Sequence, residues 1–248
     1  MLSIPRSLVV VVAASTAALV PVLRESEVAT PALTTKSAAP DAAASHNWGT
    51  VRWEVTVTNL TRGQIFSPPV VAVHSQALPP VWELGAPASP ELAGVAEDAA
   101  NMAFINALQA SGATSDVQTI LGVNGPILPG ESASVIVQGN RHFHNRLSMA
   151  GMLVITNDAF FGLNGVRLPS WGCCDEHFSP AYDAGSEANT ELCAHIPGPP
   201  CNSGGVRMTT GAEGYVHIHA GIHGVGDLAP ETYDWRNGVA RIQIRRVY

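Results

Sequence analysis

The chain has 248 residues, 46% of them apolar and only 13% charged, about half the usual charged share of roughly 25%. Acidic residues outnumber basic ones by 20 to 13, giving a net charge of -7, which leaves no broad basic surface and argues against nucleic acid as a partner. The only lysine is Lys36, so chemistry that needs a lysine amine has a single candidate, and it falls outside the folded region defined below.

The N-terminus carries Arg6 and then an apolar run from Leu8 to Leu23, rich in Val and Ala and interrupted by Pro21. Such a run is at or below the roughly 17 to 25 residues of a bilayer span. It reads as a secretory signal peptide over residues 1–24. A secreted location, extracellular or periplasmic, follows, with no membrane span after cleavage. Residues 25–46 are Ala, Ser, Thr and Pro without an apolar period, the composition of a linker that cannot offset its chain entropy. Residues 47–248 are then one domain with a single core.

Within that domain Val51 to Asn59 alternates strictly, with Val51, Trp53, Val55 and Val57 opposed to Arg52, Glu54, Thr56 and Thr58. That is the pattern of a half-buried antiparallel strand. A short apolar run, Val70 to His74, is the next strand candidate. Ser89, Pro90 and Glu91 supply a cap, a first-turn proline and a first-turn acid for a helix over ELAGVAED, followed by a second over NMAFINALQ. Further strands are expected at Val117 to Leu121, Ser132 to Gln138, Met149 to Thr156 and Tyr215 to His219, bounded by Gly, Pro or Asn. The last strand alternates again, with Ala240, Ile242 and Ile244 against Arg241, Gln243 and Arg245. Seven or more short strands with one small helical insert predict an all-β antiparallel sandwich.

The four cysteines, Cys173, Cys174, Cys193 and Cys201, fall in one stretch. With an export signal they read as disulfides, and adjacent Cys173 and Cys174 lack the spacing of a zinc ribbon. Bridging neighbours requires a strained ring, so the expected pairs are Cys173 with Cys193 and Cys174 with Cys201, or the crossed set. Either set would pin the loop between Pro169 and Arg207. No Gly-x-Ser-x-Gly, phosphate loop or His-Glu-x-x-His is present. Asn59-Leu60-Thr61 matches a glycosylation acceptor and is assigned no function.

Several blocks taken together, VRWEVTVTNLTRGQIFSPPVVAVHS, GAPASPELAGVAED, MLVITNDAFFGLNG, PAYDAGSEANTE and YDWRNGVARIQI, resemble the spondin N-terminal domain family, in the same order and across nearly the whole domain. The chain is similar to the shorter stand-alone members found in bacteria. The resemblance implies a C2-like antiparallel sandwich that binds calcium and serves adhesion or recognition of an extracellular or cell-surface ligand, without catalysis. It also implies a calcium ligand set of Asp158, Asp183 and Glu187. Better-known members have the shorter aspartate at the third position, so Glu187 departs from the pattern by one methylene.

The residues alone leave two readings open. Asp158 and Asp183 can each cap a turn through side-chain oxygens. Brought together with Glu187 they would repel one another unless a divalent cation sat among them. The rival constellation is His217, His219 and His223 in EGYVHIHAGIHG, where imidazoles two residues apart share a strand face and can ligate zinc or copper. An exported metalloenzyme on those histidines is the alternative function. His142 and His144 show the same spacing in RHFHN, and His74 ends another strand; strand histidines alternating with Val216 and Ile218 also serve simply as a solvent-side or hydrogen-bonded polar face.

Overall fold

The computed structural model describes residues 49–140, 142–170 and 174–247. The expected signal peptide and linker lie outside the described residues. No described helix is long and apolar enough to cross a membrane.

In chain order the elements are strands β1 (Thr50–Asn59) and β2 (Val70–His74), then helices α1 (Pro90–Asp98) and α2 (Asn101–Ala110). Strands β3 (Thr114–Thr119), β4 (Ser132–Asn140), β5 (Arg146–Met152), β6 (Ala159–Arg167), β7 (Asp175–Ser179), β8 (Tyr182–Asp183) and β9 (His217–Ile218) follow. Helix α3 (Pro230–Tyr233) and strand β10 (Ala240–Val247) complete the chain. Two antiparallel sheets form, ordered β4-β1-β10-β7 and β3-β2-β5-β6-β8-β9. The all-β sandwich read from the sequence is therefore the observed architecture.

The alternation at the two ends of the domain has a direct consequence. β1 and β10 pair with each other, Val55 opposite Ile244 and Val57 opposite Ile242. Their apolar faces join Val71, Val73, Met149 and Phe161 of the other sheet in one core between the layers. The outer face of β1 stays polar, with Glu54 paired to Arg245.

The six-stranded sheet differs because both faces of its central strands are covered. Val71 and Val73 of β2 face the inner core, whereas Val70 and Ala72 face a second cluster with Leu92, Val95, Phe104 and Leu108 of α1 and α2. A strand buried on both sides needs no alternation. That explains VVAVH in β2. It also explains why β6, AFFGLNGVR, carries no period-2 signal and was not expected. Helix α1 starts as its sequence dictates, with Ser89 Oγ accepting from the Leu92 amide at 3.2 Å and Pro90 in the first turn.

Several boundaries move for local reasons. β5 ends at Met152, not Thr156, because the Thr156 hydroxyl donates to the Leu153 carbonyl and accepts from the Ala159 amide, closing a turn. The expected strand at 215–219 shrinks to β9, and that at 117–121 shifts to β3. Asn59 is fully buried: its Nδ2 donates to the Gln64 and Ile127 carbonyls and its Oδ1 accepts from Thr61. The side chain of that acceptor triplet is thus consumed by the fold.

The disulfide pattern is a correction. Cys193 bonds to Cys201, across a sequence separation of 8, and neither expected long-range pairing forms. A short 3-10 turn at Cys193–His195 and a second turn around Gly198 bring the two Cα atoms to 4.6 Å, within the usual disulfide range. Among the described residues Cys174 is a free, exposed thiol, and Cys173 lies outside them.

Candidate cation site at the edge of the six-stranded sheet

Three neighbouring strands place the site. Ala159, the first residue of β6, lies opposite Asp183 in β8, and Asp183 lies opposite His217 in β9. Asp158 immediately precedes β6, and its carbonyl accepts from the Ala184 amide at 3.1 Å. Asp158 and Asp183, 25 positions apart in sequence, therefore meet at one rim of the sandwich.

Both aspartates are fully buried. Asp158 Oδ2 is saturated by the Ser186 amide at 2.7 Å, the Glu187 amide at 2.9 Å and the Ser186 hydroxyl at 3.1 Å. Among the described residues its Oδ1 has no hydrogen-bond partner. Burial pushes the Asp158 carboxyl up to about 8, and the neighbouring Asp183 charge pushes the same way against those three donors. Asp183 is likewise raised by burial, opposed by donors from Asn189 and Gly185 and by His217. Its Oδ1 accepts from the Gly185 amide at 2.7 Å and its Oδ2 from Asn189 Nδ2 at 2.6 Å. The turn needs a glycine there: Gly185 has φ +66, and a Cβ would lie 2.3 Å from the Tyr215 carbonyl oxygen.

Glu187 is buried as well, but its side chain has other company. Its carboxyl rises to about 7, first through burial and then through the Glu97 charge, with Asn157 and Arg207 pulling the other way. Arg207 pairs with Glu97 at 2.6 Å and with Asp98. Glu187 Oε2 has no hydrogen-bond partner among the described residues. Asp158, Asp183 and Glu187 therefore share one loop cluster, but only the two aspartates adjoin.

The three histidines separate too. His217 Nε2 lies 3.5 Å from Asp183 Oδ1 and His219 Nε2 lies 3.8 Å from Asp183 Oδ2. Both rings thus turn to one carboxylate. His219 packs against Trp235 with ring centroids 5.1 Å apart. Burial first, then the charges of His217 and His223, pull it down to about 3, so it is neutral. His223 is exposed, and only its amide is engaged, donating to Glu191.

Three further residues matter that sequence reasoning missed. Glu213 joins Asp183 and His217 in a group whose ligand atoms all lie within 4.8 Å of one another. Asn189 bridges Asp183 and Glu213, donating at 2.6 and 3.3 Å. Glu191 accepts from the amides of His223, Gly224 and Val225 at 2.6, 2.7 and 3.0 Å and so fixes the loop after β9. Asn189 and Glu191 sit in the quoted SEANTE block, but nothing in their spacing marks which carboxylate holds a loop and which faces an ion. No protein-family profile matches this chain, and no curated protein matches it.

Proposed function

We propose that the chain is a secreted, non-catalytic recognition module of the spondin N-terminal type, with its loop rim ordered by one calcium ion at Asp158 and Asp183. The observation that supports this reading is Asp158 Oδ1, a fully buried carboxylate oxygen with no donor, next to a second buried carboxylate. An unpaired buried charge is costly, whereas a cation between two such groups removes both the repulsion and the missing partner. Calcium takes six to eight oxygens, and carboxylates with water meet that need. The Oε2 atom of Glu187 also lacks a donor, so a third carboxylate becomes available when its side chain turns away from Glu97 and Arg207.

A cleft of about 490 Å³ lined by Arg62, Trp235 and Arg236 among others supports the recognition half of the proposal. Tryptophan and arginine are the side chains that dominate recognition surfaces. Trp235 also packs on His219, which faces Asp183. Ordering the rim would therefore position one wall of the cleft. Titrating calcium into chelator-treated protein tests the site: one ion per chain is expected, with a dissociation constant of about 0.1 to 1 mM. Asp158→Asn should weaken it at least tenfold. An affinity equal to wild type in that variant contradicts the assignment.

A further inference from the structure

We propose that Asp183, Glu213 and His217 form a second cation-binding mode, selective for a borderline transition ion of the zinc class and mutually exclusive with calcium because both require Asp183. The zinc mode stands on its own geometry; only the exclusion rests on the calcium reading above.

His217 carries the argument. Its Nδ1 contacts the Ile218 carbonyl at 3.0 Å. A carbonyl only accepts, so Nδ1 bears a proton and Nε2 is the ring atom available to a ligand. Among the described residues Nε2 has no hydrogen-bond partner, and it points at Asp183 Oδ1, 3.5 Å away. Either a shared proton or a metal ion can join these two atoms, and a third ligand alongside them selects the metal. Ligand atoms about 2.0 to 2.1 Å from a tetrahedral zinc lie roughly 3.3 to 3.4 Å apart, close to the separation seen. Glu213 completes three ligand atoms within 4.8 Å. Its exposure leaves the fourth position open to water.

The surrounding hydrogen bonds are those of a prepared metal centre. Ligating histidines characteristically donate their other ring proton to a carbonyl, and ligating carboxylates are themselves hydrogen-bonded. The Ile218 carbonyl does the first and Asn189 the second, holding Asp183 and Glu213 together. An independent observation is His219, whose side chain is 3% exposed and whose Nε2, without a hydrogen-bond partner, points at Asp183 Oδ2 from 3.8 Å. Its Nδ1 accepts from the Gly221 amide at 3.0 Å, so its Nε2 carries hydrogen. His219 is a positioning residue that turns a donor toward Asp183, not a ligand. Imidazole favours zinc, copper or nickel over calcium, which wants oxygen. The nitrogen ligand therefore separates this mode from the all-oxygen one at Asp158.

Zinc chloride titrated into the chelator-stripped full chain tests the proposal, with cobalt(II) absorption as the geometric readout. We expect one zinc per chain and an intense visible cobalt band. His217→Gln should weaken zinc at least tenfold and abolish the band. Glu213→Gln, at an exposed position that leaves the fold intact, should weaken zinc by a similar factor, and Asn189→Ala by about 10- to 100-fold. In wild type, saturating zinc should suppress the calcium heat. No stoichiometric zinc, or wild-type zinc affinity in both His217→Gln and Glu213→Gln, overturns the proposal. Zinc and calcium bound together overturns the exclusion. Zinc without any calcium binding would sink the calcium reading and leave this one standing, and calcium without zinc would do the reverse.

Discussion

At the scale of single residues, the molecule tolerates buried carboxylates by giving each a different environment. Glu191 is satisfied by three backbone amides and acts as an internal anchor. Truncating it would remove three part-buried hydrogen bonds to a charged group, so Glu191→Ala should cost roughly 3 kcal/mol in urea unfolding. A cost near zero would mean the loop holds itself. Asp158 is the opposite case, with one oxygen left over. Its folded carboxyl is raised to about 8, well above the ordinary value of about 3.9. The sign follows: its contribution to stability is full below pH 4 and is lost as pH rises toward 8. Glu187 and Asp183 push in the same direction. His219, lowered to about 3, works oppositely, but its contribution is complete above pH 6.5. Between pH 6.5 and 8, chelated wild type should therefore lose stability more steeply than Asp158→Asn, and calcium should flatten the slope. Parallel slopes would place the titration elsewhere. The meeting of Asp158 with Asp183 was implied by the family resemblance and not by periodicity, because the strands that bring them together, β6 and β8, carry no sequence signal. The side-chain direction of Glu187 was not, since it depends on Glu97 and Arg207, remote in sequence.

At the scale of elements, legibility tracked how many faces a strand buries. β1 and β10 bury one face and announce it by alternation, and β2 is short and wholly buried, apolar up to His74. β6 is covered on both sides at its start and drifts to half-exposure at its end, so no simple period describes it. β8 and β9 are two residues each. β8 exists by pairing with β6 and β9 by pairing with β8, both tertiary facts, although they carry Asp183 and His217. The cysteines make the same point: spacing constrained which bridges were possible, but the local turns at Cys193–His195 and Gly198 decided the partner. The bridge closes a small loop and does not tie the site to the rest of the sheet. In native protein an alkylating reagent should modify Cys174 at once and reach Cys193 and Cys201 only after reduction. Protection of Cys174 together with early labelling of Cys193 would show a different pairing.

At the scale of the whole molecule, two sheets and a helical cover supply the rigid frame, and the chemistry gathers where β6, β8 and β9 end at one rim. The core between the layers does not depend on that rim, so a metal should tune stability and not create it. With a dissociation constant near 0.1 mM, 1 mM calcium would add about 1.4 kcal/mol, or roughly 3 to 6 °C in melting temperature for a domain of this size. The most direct measurement is the thermal midpoint of wild type and Asp183→Asn, each in chelator and in 1 mM calcium. The account predicts a rise of that size in wild type and none in the variant. An equal rise in both, or no rise in wild type, would contradict it.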